Sequence, residues 1–107
     1  MNRFRISTQA EKDLEDIWVY LAQQDEILAD RKIAQIFDRF PMLAQFPNLG
    51  RRRDELQTGL RSFPIKPYII FYTHIPEGLE IVRIFHQSRD IQSQWYDDDA
   101  EKSDDDG

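Results

Sequence analysis

The chain has 107 residues, a hydrophobic content of 40% and a formal net charge of −6, which is typical of one folded domain with a modest core. It contains no cysteine and two histidines, which excludes a disulfide framework and a thiol nucleophile and argues against a structural zinc site. There is no apolar run of about 18 residues and no signal-peptide pattern, so we expect a cytoplasmic protein without a membrane span.

The negative charge is concentrated at the C-terminal end of the chain. Residues 97–107 hold seven acids and one base, whereas residues 1–96 hold 13 of each. We therefore predict a folded domain over residues 1–96 and an acidic disordered tail over residues 97–107. Within the domain, residues 1–38 carry eight acids and five bases, and residues 39–96 carry five acids and eight bases. The basic half could face a nucleic acid or an acidic protein, or could simply be solvated charge.

The N-terminal half predicts a strand followed by two antiparallel helices. Apolar and basic residues alternate over residues 3–7, as in a half-buried strand. Thr8 fits the first position of a capping box, and the helix that follows should end near Gln24. Asp25 can cap a second helix, which Pro41 should kink or end unless a further turn follows. Both helices carry an apolar stripe at helical spacing: Ala10, Leu14, Ile17, Trp18 and Leu21 in the first, and Ala29, Ile33, Ile36, Phe37 and Phe40 in the second.

Residues 59–90 predict a three-stranded antiparallel sheet. The strand-like runs are Gly59–Ile65, Tyr68–Tyr72 and Leu79–Phe85, and the last two are separated by the turn residues Ile75–Gly78. Because helices and strands are segregated along the chain, we predict an α+β fold with the helical pair on one face of the sheet. Most of the aromatic side chains should be core rather than stacking platforms for bases, namely Trp18, Phe63, Tyr68, Phe71 and Tyr72. Beyond the sheet, Trp95 and Tyr96 should pack back onto the body.

Basic side chains precede the sheet and mark the ends of its strands. Arg51, Arg52 and Arg53 form a charged loop that either grips phosphate or an acidic partner, or pairs with Asp54 and Glu55 and the helical acids. Arg61 and Arg83 either extend a basic face, or in the case of Arg83 form a cross-strand pair with Glu80. His74 lies by a turn and is expected only to be exposed.

His86 and Arg89 stand at the end of the last predicted strand. In a nuclease, His86 would be the general acid or base and Arg89 would hold the scissile phosphate. In a protein that acts by binding, both would be contact residues. In a purely structural role, Arg89 would bond Asp90 or a strand-end carbonyl and His86 would cap the strand.

Four motifs in a fixed order resemble the ParE-type toxins of the ParE/RelE superfamily. They are FPNLGR at residues 46–51, GLRSFP at 59–64, YIIFY at 68–72 and IFHQSRD at 84–90. Leu14, Ile17 and Tyr20 on the first helix fit the same pattern, so the resemblance extends from residue 3 to about residue 96. It implies the α+β fold described above and the toxin of a type II toxin–antitoxin pair, which inhibits growth, stabilises plasmids and is neutralised in a hetero-oligomeric complex with a cognate antitoxin.

The resemblance leaves two activities to compare. ParE-type members inhibit DNA gyrase, whereas RelE-type members cleave mRNA on the ribosome. Tyr68 is followed here by Ile69, where RelE-like enzymes have an arginine, and Arg61 is the one base in a strand where they tend to have lysines. We therefore predict a gyrase inhibitor that acts by binding, with no catalysis, cofactor or metal of its own.

The alternative activity is a RelE-like ribosome-dependent endoribonuclease. Its catalytic residues would be His86, Arg89, Arg83 and Arg61. In either case we predict a larger set of residues that bind the target or the antitoxin: Arg51, Arg52, Arg53, Arg61, Arg83, His86, Arg89 and Trp95. The antitoxin is expected to cover the basic sheet face and the groove beside the helices. A non-toxic member that serves as a binding module is the third hypothesis.

Overall fold

The computed structural model describes residues 3–96. The predicted acidic tail, residues 97–107, lies outside the described residues. The elements in chain order are β1 (Arg3–Ile6), α1 (Thr8–Ala22), α2 (Glu26–Gln45), a 3-10 turn (Pro47–Leu49), β2 (Arg51–Arg52), β3 (Arg61–Ile65), β4 (Tyr68–Ile75) and β5 (Gly78–His86). Residues 91–96 are helical. The predicted α+β fold with an N-terminal strand and a helical hairpin is confirmed.

The sheet has five strands in the order β1-β5-β4-β3-β2, and it is mixed rather than purely antiparallel. β1 pairs in parallel with β5, whereas the other neighbours are antiparallel. The predicted N-terminal strand corresponds to β1 and the three predicted sheet strands correspond to β3, β4 and β5, whereas β2 was missed. The prediction also did not place β1 in the sheet beside β5. It placed Arg51 and Arg52 in a loop, but they form β2 because their backbones pair with Ser62 and Arg61 of β3.

Gly78 allows β1 to join the sheet where β5 begins. Its φ is +147°, and a Cβ atom built there would lie 1.8 Å from the carbonyl oxygen of Arg3. A residue with a side chain would therefore be strained and would also collide with the backbone of β1. The same glycine starts β5 at the turn that the sequence predicted.

The helix starts show one wrong prediction and one that is confirmed. Ser7, not Thr8, caps α1, because Ser7 has an extended backbone and its Oγ accepts from the N–H of Ala10 at 3.0 Å. The Ser7 N–H also donates to the carbonyl of Ile81 in β5, so the sheet places the junction one residue before the predicted cap. Asp25 caps α2 as predicted, since its Oδ1 accepts from the N–H groups of Ile27 and Leu28 at 2.9 and 3.3 Å.

α2 passes through Pro41 and ends at Gln45. Pro41 cannot donate a backbone hydrogen bond, and this favours a helix end, but buried residues lie on both sides of it. Phe40 precedes it, and Leu43 and Ala44 follow, all in the core. Burial of this last turn offsets the lost hydrogen bond, so the further turn that the sequence allowed is present.

The sheet is covered on both faces. The helices cover one face, with a core that includes Leu14, Ile36, Phe40, Leu43, Ile70, Tyr72 and Leu79. A second cluster contains Leu56, Leu60, Phe71, Phe85 and Trp95. Burial of Tyr68, Phe71 and Tyr72 confirms that they are core residues, and Phe63 and Trp18 are partly buried. Within residues 3–96, no helix is both long and apolar enough to cross a membrane.

The last described residues pack back onto the body, as predicted. The Trp95 side chain is 4% exposed and its ring lies 5.4 Å from that of Phe71. Tyr96 remains exposed, and its hydroxyl donates to the carbonyl of Glu55 at 3.0 Å. Burial leaves little of Trp95 for contact with a partner, whereas Tyr96 fixes the end of the described chain beside the loop that follows β2.

Candidate functional site

A cleft of about 400 Å³ lies between α1 and the end of β5. It brings together His86 and Arg89, the pair that the sequence singled out. The lining from α1 consists of Asp13, Asp16, Ile17 and Tyr20. Asp16 and Ile17 lie three and four residues after Asp13, and Tyr20 lies four and three residues after them, which is the spacing of a single helical face. Tyr68, Ile84 and Ser88 complete the lining. The lining therefore combines apolar side chains with titratable groups of both charge signs.

His86 is oriented by two contacts. Its Nδ1 accepts a hydrogen bond from the backbone N–H of Ser88 at 3.0 Å, and its ring packs edge-to-face on Tyr68 with 5.4 Å between ring centroids. A neutral imidazole whose Nδ1 accepts carries its proton on Nε2, so Nε2 is the nitrogen that can donate to a partner. This geometry agrees with the structural role in which His86 caps the strand, because its ring accepts from the turn that follows β5.

Arg89 is exposed, and its guanidinium lies over the ring of Phe85 with its Cζ 5.5 Å from the ring centroid. Among residues 3–96 it forms no ion pair. The structural role in which Arg89 pairs with Asp90 is wrong. Asp90 caps the helical residues 91–96 instead, where its carboxylate accepts from the N–H and Oγ of Ser93. Arg89 is therefore available to a partner at the rim of the cleft.

Arg83 is bound to Asp13 beside the cleft. Its Nε and Nη2 donate to Oδ2 and Oδ1 of Asp13 at 2.9 and 3.0 Å, and the N–H of Ile84 donates to the same Oδ2 at 2.9 Å. The two side chains are only 12% and 10% exposed. The guanidinium also lies over the Phe85 ring, with its Cζ 4.4 Å from the centroid. Arg83 is thus part of the packed structure rather than an open basic surface.

The proposed pairing of Arg83 with Glu80 is wrong. Glu80 accepts instead from Arg5 Nε at 3.1 Å, because the parallel pairing of β1 with β5 places Arg5 directly opposite Glu80. Sequence reasoning also missed Asp13 as a partner of the site. The signal was its position on α1, three residues after Ala10 and four before Ile17, where an acidic side chain adjoins the apolar stripe.

The arginine-rich segment lies at the opposite edge of the sheet. Arg52 pairs with Asp54 and Arg53 with Glu55, at 2.7 and 2.8 Å, so the pairing alternative describes both. The bond from the Gly59 N–H, with the charge of Arg52, holds the pKa of Asp54 below its usual range. The bond from Arg53 similarly lowers the pKa of Glu55.

Arg61 belongs with this second group. Its Nη1 donates to the carbonyl of Gly50 at 2.7 Å, and its backbone pairs with Tyr72 of β4. His86 pairs with Tyr68, four residues away along the same strand, which is about 13 Å at the rise of a β-strand. The candidate residues therefore form two separate groups rather than one basic face. No three His, Asp or Glu side chains in the described part of the chain are grouped as metal ligands.

Comparison with known proteins confirms the resemblance. Residues 4–91 match the family model described as the ParE toxin of the type II toxin–antitoxin system parDE. Toxin ParE1 of Caulobacter vibrioides is 29% identical over 94 residues, which cover 87% of this chain and 97% of that protein. Toxin RelE3 of the same organism is 32% identical over 87 residues, covering 80% of this chain and 95% of that protein. Relatives thus carry both names.

Two solved structures share the fold. The chromosomal ParDE toxin–antitoxin system from P. aeruginosa superposes with a TM-score of 0.66 at 21% identity, over 78% of this chain and 92% of that one. The RelBE2 toxin–antitoxin complex from Mycobacterium tuberculosis superposes with a TM-score of 0.56 at 22% identity, over 80% and 91%. From the family match and the shared fold together, we conclude that the chain belongs to the ParE toxin family of type II toxin–antitoxin systems.

Proposed function

We propose that this toxin acts by binding DNA gyrase, without cleaving RNA, and that a cognate antitoxin neutralises it. Residues 4–91 match the ParE family. This membership supports the target, because the resemblance to ParE-type toxins implies inhibition of gyrase. The solved relatives that share the fold are toxin–antitoxin assemblies, which supports the antitoxin as a partner. The choice between binding and catalysis rests on the charged groups that line the His86 cleft.

The His86 cleft is poorly suited to an RNA phosphate. Cleavage through the 2′-hydroxyl needs cationic groups around a phosphate that gains negative charge in the transition state. The lining holds one guanidinium, that of Arg89, together with the carboxylate of Asp16. Arg83, the second base that a nuclease would use, is bound to Asp13. Position 69, next to Tyr68, is an isoleucine rather than a base.

The same cleft suits contact with a protein. Ile17 and Ile84 form apolar lining, and the polar groups lie around them. Tyr20 is 61% exposed at its rim, and large exposed aromatic and arginine side chains are the residue types that dominate protein interfaces. Arg89 and the Nε2–H of His86 supply donors at the end of β5. We assign Tyr20, His86 and Arg89 to the surface that meets gyrase, and we propose that the antitoxin blocks this surface.

Gyrase supercoiling and DNA-cleavage assays with purified toxin test the proposal. The wild-type protein is expected to inhibit supercoiling and to trap cleaved DNA. The variant His86→Ala/Arg89→Ala should be weaker by about tenfold or more, as is usual when a contact of about 1.4 kcal/mol or more is lost. The matched control is Arg31→Ala/Gln35→Ala, which removes the same charge from exposed positions of α2 and should leave inhibition unchanged.

The ribosome provides the contrasting outcome. If a preparation that arrests growth leaves gyrase unaffected at all concentrations, the binding proposal is wrong. Codon-phased mRNA cuts in a translating extract, abolished by His86→Ala, would then assign the RelE-like activity to this chain. A circular dichroism spectrum of each variant shows that the fold is retained, so that loss of activity reports on the surface.

A further inference from the structure

A second cleft, of about 240 Å³, lies at the β2 edge of the sheet beside the 3-10 turn. It shares no lining residue with the His86 cleft. Two guanidinium groups line it, from Arg52 of β2 and Arg61 of β3, together with Asn48 and His74. Four side chains that carry N–H donors, from different segments of the chain, therefore line one small space.

Each of the two arginines is anchored through one side of its guanidinium group. Arg61 Nη1 donates to the carbonyl of Gly50 at 2.7 Å, and Arg52 pairs with Oδ2 of Asp54 at 2.7 Å. Within residues 3–96, the other guanidinium nitrogens of Arg61 make no hydrogen bond. A guanidinium anchored on one side loses little rotamer freedom when its free side binds an anion.

The 3-10 turn that leads into β2 is fixed to the sheet by Tyr72. The Gly50 N–H donates to Tyr72 Oη at 2.8 Å, and the same hydroxyl donates to the carbonyl of Pro47 at 2.7 Å. A Cβ atom at Gly50 would lie 2.3 Å from Tyr72 Oη, so this position has room only for glycine. The carbonyl that anchors Arg61 is therefore rigidly placed, and the two arginines keep their spacing.

This cleft carries more positive charge than the His86 cleft, whose two carboxylates are balanced by Arg83 and Arg89. Arg52 and Arg61 face one carboxylate, Asp54, and that carboxylate already accepts from Arg52 and from the N–H of Gly59 at 2.9 Å. Arg51 is exposed immediately next to Arg52. The cleft thus offers positive charge and free N–H donors, whereas its acid is occupied.

We infer that this second cleft binds a phosphate group of a nucleic-acid backbone. Arg61 and Arg52 donate to the phosphate oxygens, and the Asn48 amide and an imidazole N–H of His74 add further donors. A phosphodiester suits the cleft better than a carboxylate, because the oxygens of a tetrahedral phosphorus do not lie in one plane and can accept from donors that arrive from several directions. This inference goes beyond gyrase binding, and its test contains no gyrase.

Fluorescence anisotropy with a short labelled DNA duplex tests the inference in the full-length protein. Arg61→Ala is expected to weaken binding about tenfold and to reduce the steepness of the salt dependence by about one. Arg61→Lys keeps the charge but loses the planar fork, so most of the affinity should be lost as well. Arg31→Ala removes an equal charge from α2, outside the cleft, and should change binding little.

A second variant and a competition make the outcome decisive. Arg61 bonds the Gly50 carbonyl, whereas the Arg52 side chain is 73% exposed, so Arg52→Ala tests the cleft with little risk to folding. Displacement of the duplex by inorganic phosphate, together with loss of affinity in Arg52→Ala, supports the phosphate site. The inference is overturned if Arg31→Ala weakens binding as much as Arg61→Ala does, or if a poly-glutamate peptide binds equally well and with the same dependence on Arg61. A toxin that inhibits gyrase but binds no duplex would overturn it while leaving the proposed function intact.

Discussion

The Asp13 carboxylate should be the most costly charged group to remove from this fold. It accepts three hydrogen bonds, two from Arg83 and one from the N–H of Ile84, and both charged side chains are nearly buried. Asp13→Ala leaves the guanidinium without its carboxylate and the Ile84 N–H without its acceptor. We expect a loss of about 3 kcal/mol in the free energy of unfolding, or a Tm lower by about 12–24 °C.

The Arg5–Glu80 pair provides an internal control for this prediction. It joins the same strand, β5, to an N-terminal element, but its side chains are 61% and 29% exposed. Glu80→Ala should cost less than about 1 kcal/mol, because solvent already screens the pair. Urea unfolding followed by circular dichroism measures both values, and a double-mutant cycle with Arg83→Ala isolates the coupling to Asp13. If Asp13→Ala cost no more than Glu80→Ala, the reasoning from burial and hydrogen bonding would be refuted.

Further predictions concern the buried tyrosines and one glycine. Tyr72→Phe should lower the free energy of unfolding in urea by about 1–3 kcal/mol, because the buried Gly50 N–H loses its acceptor. Tyr68→Phe should be nearly neutral, since the Tyr68 hydroxyl makes no hydrogen bond within residues 3–96. Equal losses in the two variants would contradict this reasoning. Burial raises the pKa of both phenols above about 10, so the folded state retains their protons more strongly than the unfolded state does. The stabilisation from these raised pKa values is therefore complete below about pH 10 and is lost as the pH rises through the folded-state pKa values. The free energy of unfolding measured at increasing alkaline pH should show this decline. In the double Phe variant it should decline less steeply. Gly78→Ala should lower the free energy of unfolding by about 1–3 kcal/mol from backbone strain alone. The loss should be larger than this, because the new Cβ meets the carbonyl of Arg3. A thermal unfolding midpoint equal to that of the wild type would disprove the prediction.

Local signals in the sequence predicted most of the secondary structure. Asp25 caps α2 as expected, because an N-cap depends on residues within one helical turn. The turn before Gly78 separates β4 from β5, and the helical stripes identified Leu14, Ile36 and Phe40 as core. The predicted cap at Thr8 was one residue too late, because a bond from the Ser7 N–H to β5 decides where the strand ends.

The candidate sites show the same division between local and long-range information. The sequence identified His86 and Arg89 from their place in the last motif, and they do line one cleft. It also allowed Arg52 to pair with Asp54, two residues away. It could not place Asp13 beside Arg83, because these residues are 70 positions apart and meet only when α1 packs on β5.

By itself, the sequence determined the α+β class, the helical hairpin, the family and the candidate pair His86 and Arg89. These features depend on hydrophobic periodicity, turn residues and short motifs, all of which are local. Only the tertiary structure decided that β1 pairs in parallel with β5, and hence that Glu80 meets Arg5. It also decided that α1 packs on β5, which brings Asp13 to Arg83. It also divided the basic residues between a cleft whose charges are balanced and a cleft that is cationic. Such partners depend on strand register and helix packing, where a shift of one residue moves each side chain to the other face of the sheet.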